Sequence, residues 1–158
     1  VVGQQISVRG ARTLLSRLAA AFGEPVPAAP AEIARLFPAA VDVAAVEPAA
    51  IARIGMPLAR ARTIVALARA VANGDLALQP EGDVEATIEH LMAVPGIGAW
   101  TANYIAMRAL RWPDAFLEGD LVVRRALDVE RPAQALARAE AWRPWRAYAV
   151  IHLWRSQA

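Results

Sequence analysis

Residues 94–104 read VPGIGAWTANY, and this stretch decides how the rest of the chain is interpreted. Pro95 ends the helix that precedes it, because a proline ring clashes with a helix interior. Gly96 and Gly98 follow at once, and glycine adopts backbone angles that are closed to other residues. Residues 101–110 then resume a helical pattern of Ala, Tyr, Ile, Met and Leu. The stretch therefore predicts a helix, a tight turn and a second helix.

The helices on either side of the turn carry signals of their own. Val84, Ile88 and Leu91 recur at the spacing of one helix face, and Asp83 is a favourable N-cap residue. The first backbone N–H groups of the second helix lack an intrahelical partner and lie at the positive end of its dipole, so they suit an anion such as phosphate. Many Gly-rich turns simply join two packed helices, and on the residues alone this alternative stays open. Dinucleotide binding is disfavoured because no strand precedes the turn.

The composition of the 158-residue chain favours one all-α domain. Hydrophobic residues make up 57% of the chain, but many of them are alanine, and runs of strand-forming residues are scarce. Arg, Glu or Pro interrupts every apolar run before it reaches the roughly 20 residues that a membrane span requires. We therefore expect a soluble protein with no membrane partner.

Two residue types are absent from the sequence, and each absence excludes a kind of chemistry. Without cysteine there is no disulfide, no thiolate nucleophile and no Cys-ligated zinc or iron–sulfur site. All 17 cationic residues are arginine, so no lysine amine can form a Schiff base. The net charge of +2 is too small to indicate a nucleic-acid partner by itself. His90 has no ligand-type neighbours in sequence, so we expect a surface or packed residue rather than a metal ligand.

Helices are also predicted outside the hairpin, from hydrophobic spacing, proline starts and glycine stops. The helix over 57–73 is expected to bury one apolar stripe and to turn its arginines, including Arg60, towards solvent. The members of that stripe are Ile64, Leu67, Ala68 and Val71. The predicted helices span residues 1–22, 31–37, 38–46, 48–54, 57–73, 121–127, 132–141 and a last segment from residue 144.

Asp120 is the acidic residue that stands out by its position. It follows a loop over 112–119 that Pro and Gly interrupt, and it begins a predicted helix. As an N-cap residue it would accept hydrogen bonds from the next backbone amides, an interaction worth about 1 kcal/mol. The same position also fixes the direction of a carboxylate, which catalysis requires. On spacing alone the N-cap interpretation is the stronger one.

The tryptophans and the two adjacent glutamines have ordinary interpretations on the residues alone. Five tryptophans in a chain of this size are usually anchors of the core. Gln4 and Gln5 are neighbouring amides, which in most proteins are solvated. A functional role for either group follows only from a family resemblance.

Three motifs in order resemble those of the helix-hairpin-helix (HhH-GPD) DNA glycosylases. The motifs are PGIG at residues 95–98, WTANY at 100–104 and FLEGD at 116–120. In this family the hairpin is followed by a Gly/Pro-rich loop and a catalytic Asp. The pattern is most similar to the bacterial alkylbase type, 3-methyladenine DNA glycosylase II. The resemblance extends from GQQIS at 3–7 to WRPWRAY at 142–148.

The resemblance implies one helical glycosylase domain over residues 1–158 with the multi-helix HhH-GPD fold. The helix-hairpin-helix motif would occupy residues 84–110 and the catalytic loop residues 112–120. Full-length relatives carry an additional N-terminal β-rich domain, which this sequence is expected to lack.

The activity that the resemblance implies is base excision repair of damaged DNA. The family hydrolyses the N-glycosidic bond of alkylated purines of the 3-methyladenine type after flipping the base out of the duplex. Asp120 matches the catalytic residue, and Trp100, Tyr104 and Trp154 match the lining of the base pocket. Members that also cut the strand have a lysine just after the hairpin, where this sequence has Trp100. The chain is therefore expected to be a monofunctional glycosylase that leaves an abasic site.

The implied partner is duplex DNA containing a damaged base. Gln5 matches a wedge that fills the vacated base stack, and the other implied DNA-binding residues are Gly96, Gly98, Ala99 and Thr101. A monovalent cation, Na⁺ or K⁺, would be held by the backbone carbonyls of Met92, Val94 and Ile97. No cofactor is required, and the iron–sulfur cluster of some relatives is excluded by the lack of cysteine. We expect a monomer in the bacterial cytoplasm, associated with the nucleoid.

Two other functions stay open on the sequence. A non-catalytic helix-hairpin-helix module that binds DNA would need the hairpin but neither Asp120 nor an aromatic pocket. A glycosylase for uracil or another neutral lesion would need hydrogen-bonding groups in the pocket, and Asn103 and Tyr104 could supply them. A purely structural helical protein is disfavoured because the motifs occur together in the right order.

Overall fold

The computed structural model describes residues 1–30, 34–80 and 82–157. Over these ranges the secondary structure is helical, with one isolated β-bridge and no strand, so the predicted all-α class is confirmed. The α-helices in the described chain are α1 (Val8–Phe22), α2 (Ala40–Ala44), α3 (Pro48–Ala52), α4 (Leu58–Ala72), α5 (Val84–Ala93), α6 (Ala99–Arg108), α7 (Leu121–Ala126), α8 (Pro132–Ala139) and α9 (Arg146–Ser156). A 3₁₀ turn at Glu140–Trp142 follows α8. Among these helices none is long and apolar enough to cross a membrane.

The chain divides into two compact units. The first comprises Val1–Leu76 together with Val94–Ile97 and contains α1 to α4 and the hairpin turn. The second comprises Ala77–Ala93 and Gly98–Ala158 and contains α5 to α9.

The core of the first unit forms where α4 packs against α2 and α3. Because two helices pack against α4, its buried face extends to Ala61 and Val65, which are almost inaccessible to solvent. Leu67 and Val71 are only half-buried, so the predicted stripe is wrong for these two residues. The buried core residues are Leu14, Leu18, Val43, Ile51, Met56, Ala61, Ile64, Val65 and Ala68.

The N-terminal helix begins later than predicted. Residues 1–6 form turns, and Ser7 caps α1 by accepting a hydrogen bond from the Gly10 amide at 3.1 Å. Gln5 has a φ of +56°, which a helix cannot contain. The Arg60 guanidinium donates to the Gln4 carbonyl at 2.6 Å, so Arg60 is half-buried instead of pointing into solvent as predicted. A helix over 1–22 is therefore wrong for its first seven residues.

The helix predicted over residues 31–37 falls partly on 31–33, which lie outside the described residues. Residues 34–37 are not helical, so that part of the prediction is wrong. Their backbone pairs with the segment before them instead, through Val26 N–H to the Ala34 carbonyl at 2.8 Å and Leu36 N–H to the Glu24 carbonyl at 2.9 Å. The Arg35 guanidinium adds a hydrogen bond to the Gly23 carbonyl. These tertiary hydrogen bonds satisfy groups that a helix would have paired within itself.

The remaining predicted helices are present, most of them shorter at their ends. The predicted glycine stops are confirmed at Gly55 and Gly74, with φ of +109° and +83°. The Asp83 cap of α5 is also confirmed, because its carboxylate accepts the Ala86 amide at 3.0 Å.

The second unit has two groups of buried side chains. In one of them α7 packs against α8 and α9, around Leu117, Val123 and Val150. In the other, Leu110 on the segment after α6 packs with Ala147 at the start of α9. The α5 and α6 helices also pack against each other.

The hairpin turn is closed by a hydrogen bond from the Ile97 amide to the Val94 carbonyl at 3.0 Å. Gly96 has a φ of +88°, in the left-handed region of backbone angles that residues with a side chain rarely adopt. A Cβ at this position would also lie 2.1 Å from Oγ1 of Thr63, a buried residue of α4. Glycine is therefore required at position 96 by both backbone angle and space.

Gly96→Ala is expected to lower the free energy of unfolding by about 2 kcal/mol or more, because it combines a left-handed alanine with a clash at Thr63. Urea unfolding followed by circular dichroism measures the change. Gly98→Ser is the matched control within the same turn. Gly98 has a φ of −96°, a Cβ there meets no described heavy atom within 4 Å, and serine is a good N-cap for α6. Equal loss of stability in both variants would contradict this account of Gly96.

Candidate active site

Asp120 ends the loop after α6 and is the N-cap of α7, as its position in the sequence predicted. Its Oδ1 accepts hydrogen bonds from the Val122 amide at 2.9 Å and the Val123 amide at 3.0 Å. The Asp120 amide itself donates to the Leu117 carbonyl at 2.9 Å, which closes the preceding turn. The helix start thus holds this carboxylate in one orientation.

Two tryptophans from other helices also donate to the Asp120 carboxylate. Trp100 on α6 donates its indole N–H to Oδ2 at 3.1 Å, and Trp154 on α9 donates its indole N–H to Oδ1 at 3.1 Å. The fold therefore brings together three of the predicted site residues. In sequence, Asp120 lies 20 residues from Trp100 and 34 residues from Trp154. Hydrogen bonds to an ionised carboxylate are stronger than those between neutral groups.

Tyr104 completes an aromatic cluster with these two tryptophans. Trp100 and Tyr104 are one helical turn apart on α6, and their rings stack with centroids 5.2 Å apart and planes at 15°. The Tyr104 and Trp154 rings lie 6.2 Å apart and are tilted by 38°. Trp100 is 37% exposed and the other two rings are half-buried, so the cluster remains partly open to solvent. The three rings are thus only partly packed into the core.

The predicted DNA-binding residues are divided between the two units. Gln5 and Gly96 belong to the first unit, whereas Gly98, Ala99 and Thr101 belong to the second. Gly98 is the N-cap of α6 and, as a glycine, has no side chain to accept a hydrogen bond from the first amides of the helix. Thr101 is 5% exposed, so its side chain faces the protein. Ala99 and Gly98 are exposed at the helix start, where backbone N–H groups are the donors available to an anion.

Two of the three carbonyls predicted to hold a monovalent cation, those of Val94 and Met92, retain acceptor capacity among the described contacts. The Val94 oxygen accepts one hydrogen bond, from the Ile97 amide, and a carbonyl oxygen has two lone pairs. Met92 lies in the last turn of α5, where carbonyls have no intrahelical partner. Elsewhere in the described chain no cluster of three or more His, Asp or Glu side chains is arranged to hold a metal ion, and His90 is exposed on α5.

Comparison with known proteins shows relatives over almost the whole chain. It is 40% identical over 157 residues to DNA-3-methyladenine glycosylase 2 of Escherichia coli, an alignment that covers 99% of this chain and 55% of that protein. It is 41% identical over 159 residues to a probable bifunctional transcriptional activator/DNA repair enzyme AlkA of Mycobacterium tuberculosis, covering 98% of this chain and 31% of that protein. The chain is a homologue of proteins named as DNA-3-methyladenine glycosylases. No protein-family profile matches it.

A solved structure supports the same glycosylase fold. The 3-methyladenine DNA-glycosylase of Archaeoglobus fulgidus superposes with a TM-score of 0.78 at 23% identity, over 97% of this chain and 54% of that one. The predicted fold and the family resemblance are therefore confirmed. The chain spans about half the length of the E. coli glycosylase.

A buried ion pair that the sequence did not indicate supports the loop over residues 112–119, which leads to Asp120. Arg146 at the start of α9 forms a two-pronged contact with Asp114 in the loop, at 2.7 Å and 2.8 Å, and both side chains are more than 90% buried. The Ala147 amide also donates to the Pro113 carbonyl at 2.9 Å. Because α9 carries Trp154, these contacts fix the loop that leads to Asp120 against the helix that supplies one of its donors.

Asp114→Ala is expected to lower the free energy of unfolding by about 3–5 kcal/mol, because it leaves the Arg146 guanidinium buried without its main partner. Glu140→Ala is the control. Glu140 also contacts Arg146, at 3.4 Å, but its side chain is 56% exposed, and such pairs contribute about 1 kcal/mol or less. Urea unfolding of both variants measures the difference, and similar losses would show that burial does not decide the strength of this pair.

Proposed function

We propose that this chain hydrolyses the N-glycosidic bond of alkylated purines, of the 3-methyladenine type, in duplex DNA. The observation that carries the proposal is the Asp120 carboxylate, held by two amides and two indole N–H groups beside the aromatic cluster. The homology to DNA-3-methyladenine glycosylases supports it. A binding module would need no carboxylate oriented in this way.

The proposed reaction needs a negative charge beside the deoxyribose. As the bond from C1′ to the base nitrogen breaks, its electron pair leaves with the base and positive charge develops on the sugar. The Asp120 carboxylate stabilises that charge because its donors fix it in place before the reaction. A water oxygen then bonds to C1′ and gives one proton to the carboxylate, which passes it to solvent. The products are a free base and an abasic site.

The aromatic cluster suits the leaving base. Aromatic faces attract a cation by about 1–2 kcal/mol when it is desolvated, and an alkylated purine carries positive charge. That charge is neutralised when the base takes up the bonding electrons, so the base leaves without a second acidic group to protonate it. The cluster therefore selects by charge and stacking rather than by a fixed hydrogen-bond pattern.

DNA binding is assigned to backbone groups of the hairpin and to Gln5. The N–H groups at Gly98, Ala99 and Thr101 begin α6 and would bind phosphate, which grips DNA without reading its sequence. Gly96 keeps the turn compact, and Gln5 would fill the space that the flipped base leaves. The hairpin carbonyls of Met92, Val94 and Ile97 would hold a monovalent cation, whose positive charge would favour phosphate binding and would take no part in the chemistry.

The proposed enzyme is monofunctional, because the 158 residues contain no lysine and position 100 is tryptophan. We further propose that one copy of the chain suffices, since Asp120, Trp100, Tyr104 and Trp154 all come from the same chain. The place of action would be the bacterial cytoplasm, at the nucleoid.

Asp120→Asn tests the catalytic role of the carboxylate. Release of free purine from methylated duplex DNA, measured by chromatography, is expected to fall by about a hundredfold or more. Asparagine is itself a good N-cap, so α7 should be preserved, but its NH₂ group would face an indole donor in place of an acceptor. Glu118→Gln, which changes a nearby carboxylate with no assigned role, is the matched control and should release base at the rate of the unmodified chain.

The products of the same reaction test the monofunctional assignment. Strand breaks should appear only after alkali is added, and borohydride should trap no protein–DNA adduct. Binding of duplex DNA without base release by the unmodified chain would overturn the proposal and favour a binding module. Release of uracil but not of methylated purines would favour a neutral lesion.

A further inference from the structure

The two oxygens of the Asp120 carboxylate have different surroundings. Oδ1 accepts three hydrogen bonds, from the Val122 and Val123 amides and from the Trp154 indole, at 2.9–3.1 Å. Oδ2 accepts one hydrogen bond in the described part of the chain, from the Trp100 indole at 3.1 Å. The two indole donors are chemically identical and equally distant, yet each serves a different oxygen.

This distribution leaves acceptor capacity on one oxygen. A carboxylate oxygen offers about two lone-pair directions, and three donors already converge on Oδ1. A lone pair of Oδ2 is still available for a water proton or for the developing charge on a sugar. Chemistry at Asp120 is therefore directed through Oδ2.

Trp100 is the residue that contacts Oδ2 directly in the described part of the chain. Rotation of the carboxylate about its Cβ–Cγ bond would move both oxygens away from their donors, and the preferred angles of that bond are broad. The three donors on Oδ1 oppose such a rotation from one side of the carboxylate. The hydrogen bond from Trp100 opposes that rotation. Trp100 is itself oriented by its stacking on Tyr104, so its N–H is aimed by the aromatic cluster.

We infer that Asp120 acts on the deoxyribose through Oδ2, that Oδ1 is an anchor, and that Trp100 is the positioning residue that directs Oδ2 through its indole N–H. This inference rests on the proposed glycosylase function. It gives Trp100 and Trp154 unequal roles, although both are aromatic neighbours of the same carboxylate.

The test removes each indole N–H while keeping the ring. β-(3-Benzothienyl)alanine, in which sulfur replaces the N–H, is incorporated at position 100 in one protein and at position 154 in another. The measurements are the single-turnover rate constant for base release from methylated duplex DNA and the dissociation constant for a duplex with a tetrahydrofuran abasic-site analogue. Tryptophan incorporated by the same method is the control for the procedure.

The substitution at position 100 is expected to lower the single-turnover rate constant by about tenfold or more, because the reacting oxygen loses a hydrogen bond to its negative charge. The dissociation constant is expected to change less than about twofold, because the ring that stacks in the aromatic cluster is kept. The substitution at position 154 should lower the rate constant by about threefold or less, because Oδ1 retains two amide donors. Thermal unfolding of both proteins checks that the fold is kept.

Equal losses at the two positions, or a larger loss at position 154, would overturn the inference. A loss at position 100 that appears in the dissociation constant rather than in the rate constant would also overturn it, since Trp100 would then act only by stacking. Absence of base release from the tryptophan control would instead be a failure of the proposed function, and the two failures are distinguishable.

Discussion

The geometry of the second unit depends on the buried ion pair between Arg146 and Asp114. A two-pronged contact between a guanidinium and a carboxylate constrains distance and orientation together, which one point charge cannot do. Asp114 lies in the loop that leads to Asp120, and Arg146 begins the helix that carries Trp154. An ion pair that does not include Asp120 therefore helps to determine how its carboxylate meets the Trp154 indole.

Asp120 combines a structural task with the proposed chemical one. As the cap of α7 it satisfies two amides that would otherwise lack partners, and the same hydrogen bonds hold it ready to face a positive charge. The start of α7 is thus stabilised by a residue that the proposed reaction also requires. The preorganisation of the site follows from ordinary helix capping, without strained backbone at Asp120, whose φ is −70°.

The sequence alone was sufficient to predict the features of the fold that neighbouring residues determine. Asp83 and Asp120 were predicted as caps and are caps, because an acidic residue before a helix has amides within reach. Predictions from local pattern were wrong where distant contacts decided the conformation, as at residues 34–37, which pair with residues 24–26, and at the start of α1. Family resemblance placed Trp100 and Trp154 at the same site as Asp120, but their hydrogen bonds to its carboxylate were not predicted. No local signal pairs Asp114 with Arg146, since their separation of 32 residues leaves no pattern in sequence.

Two of the three aromatic rings donate a hydrogen bond to the Asp120 carboxylate, and this limits which of them can be substituted without moving it. Trp100 and Trp154 each donate a hydrogen bond to the carboxylate, so replacing either ring also disturbs Asp120. The Tyr104 ring contacts both indole rings, but among the described hydrogen bonds none joins Tyr104 to the carboxylate. We therefore expect a different aromatic ring at position 104 to alter the range of bases that the proposed enzyme accepts, because it would keep the stacking that orients Trp100.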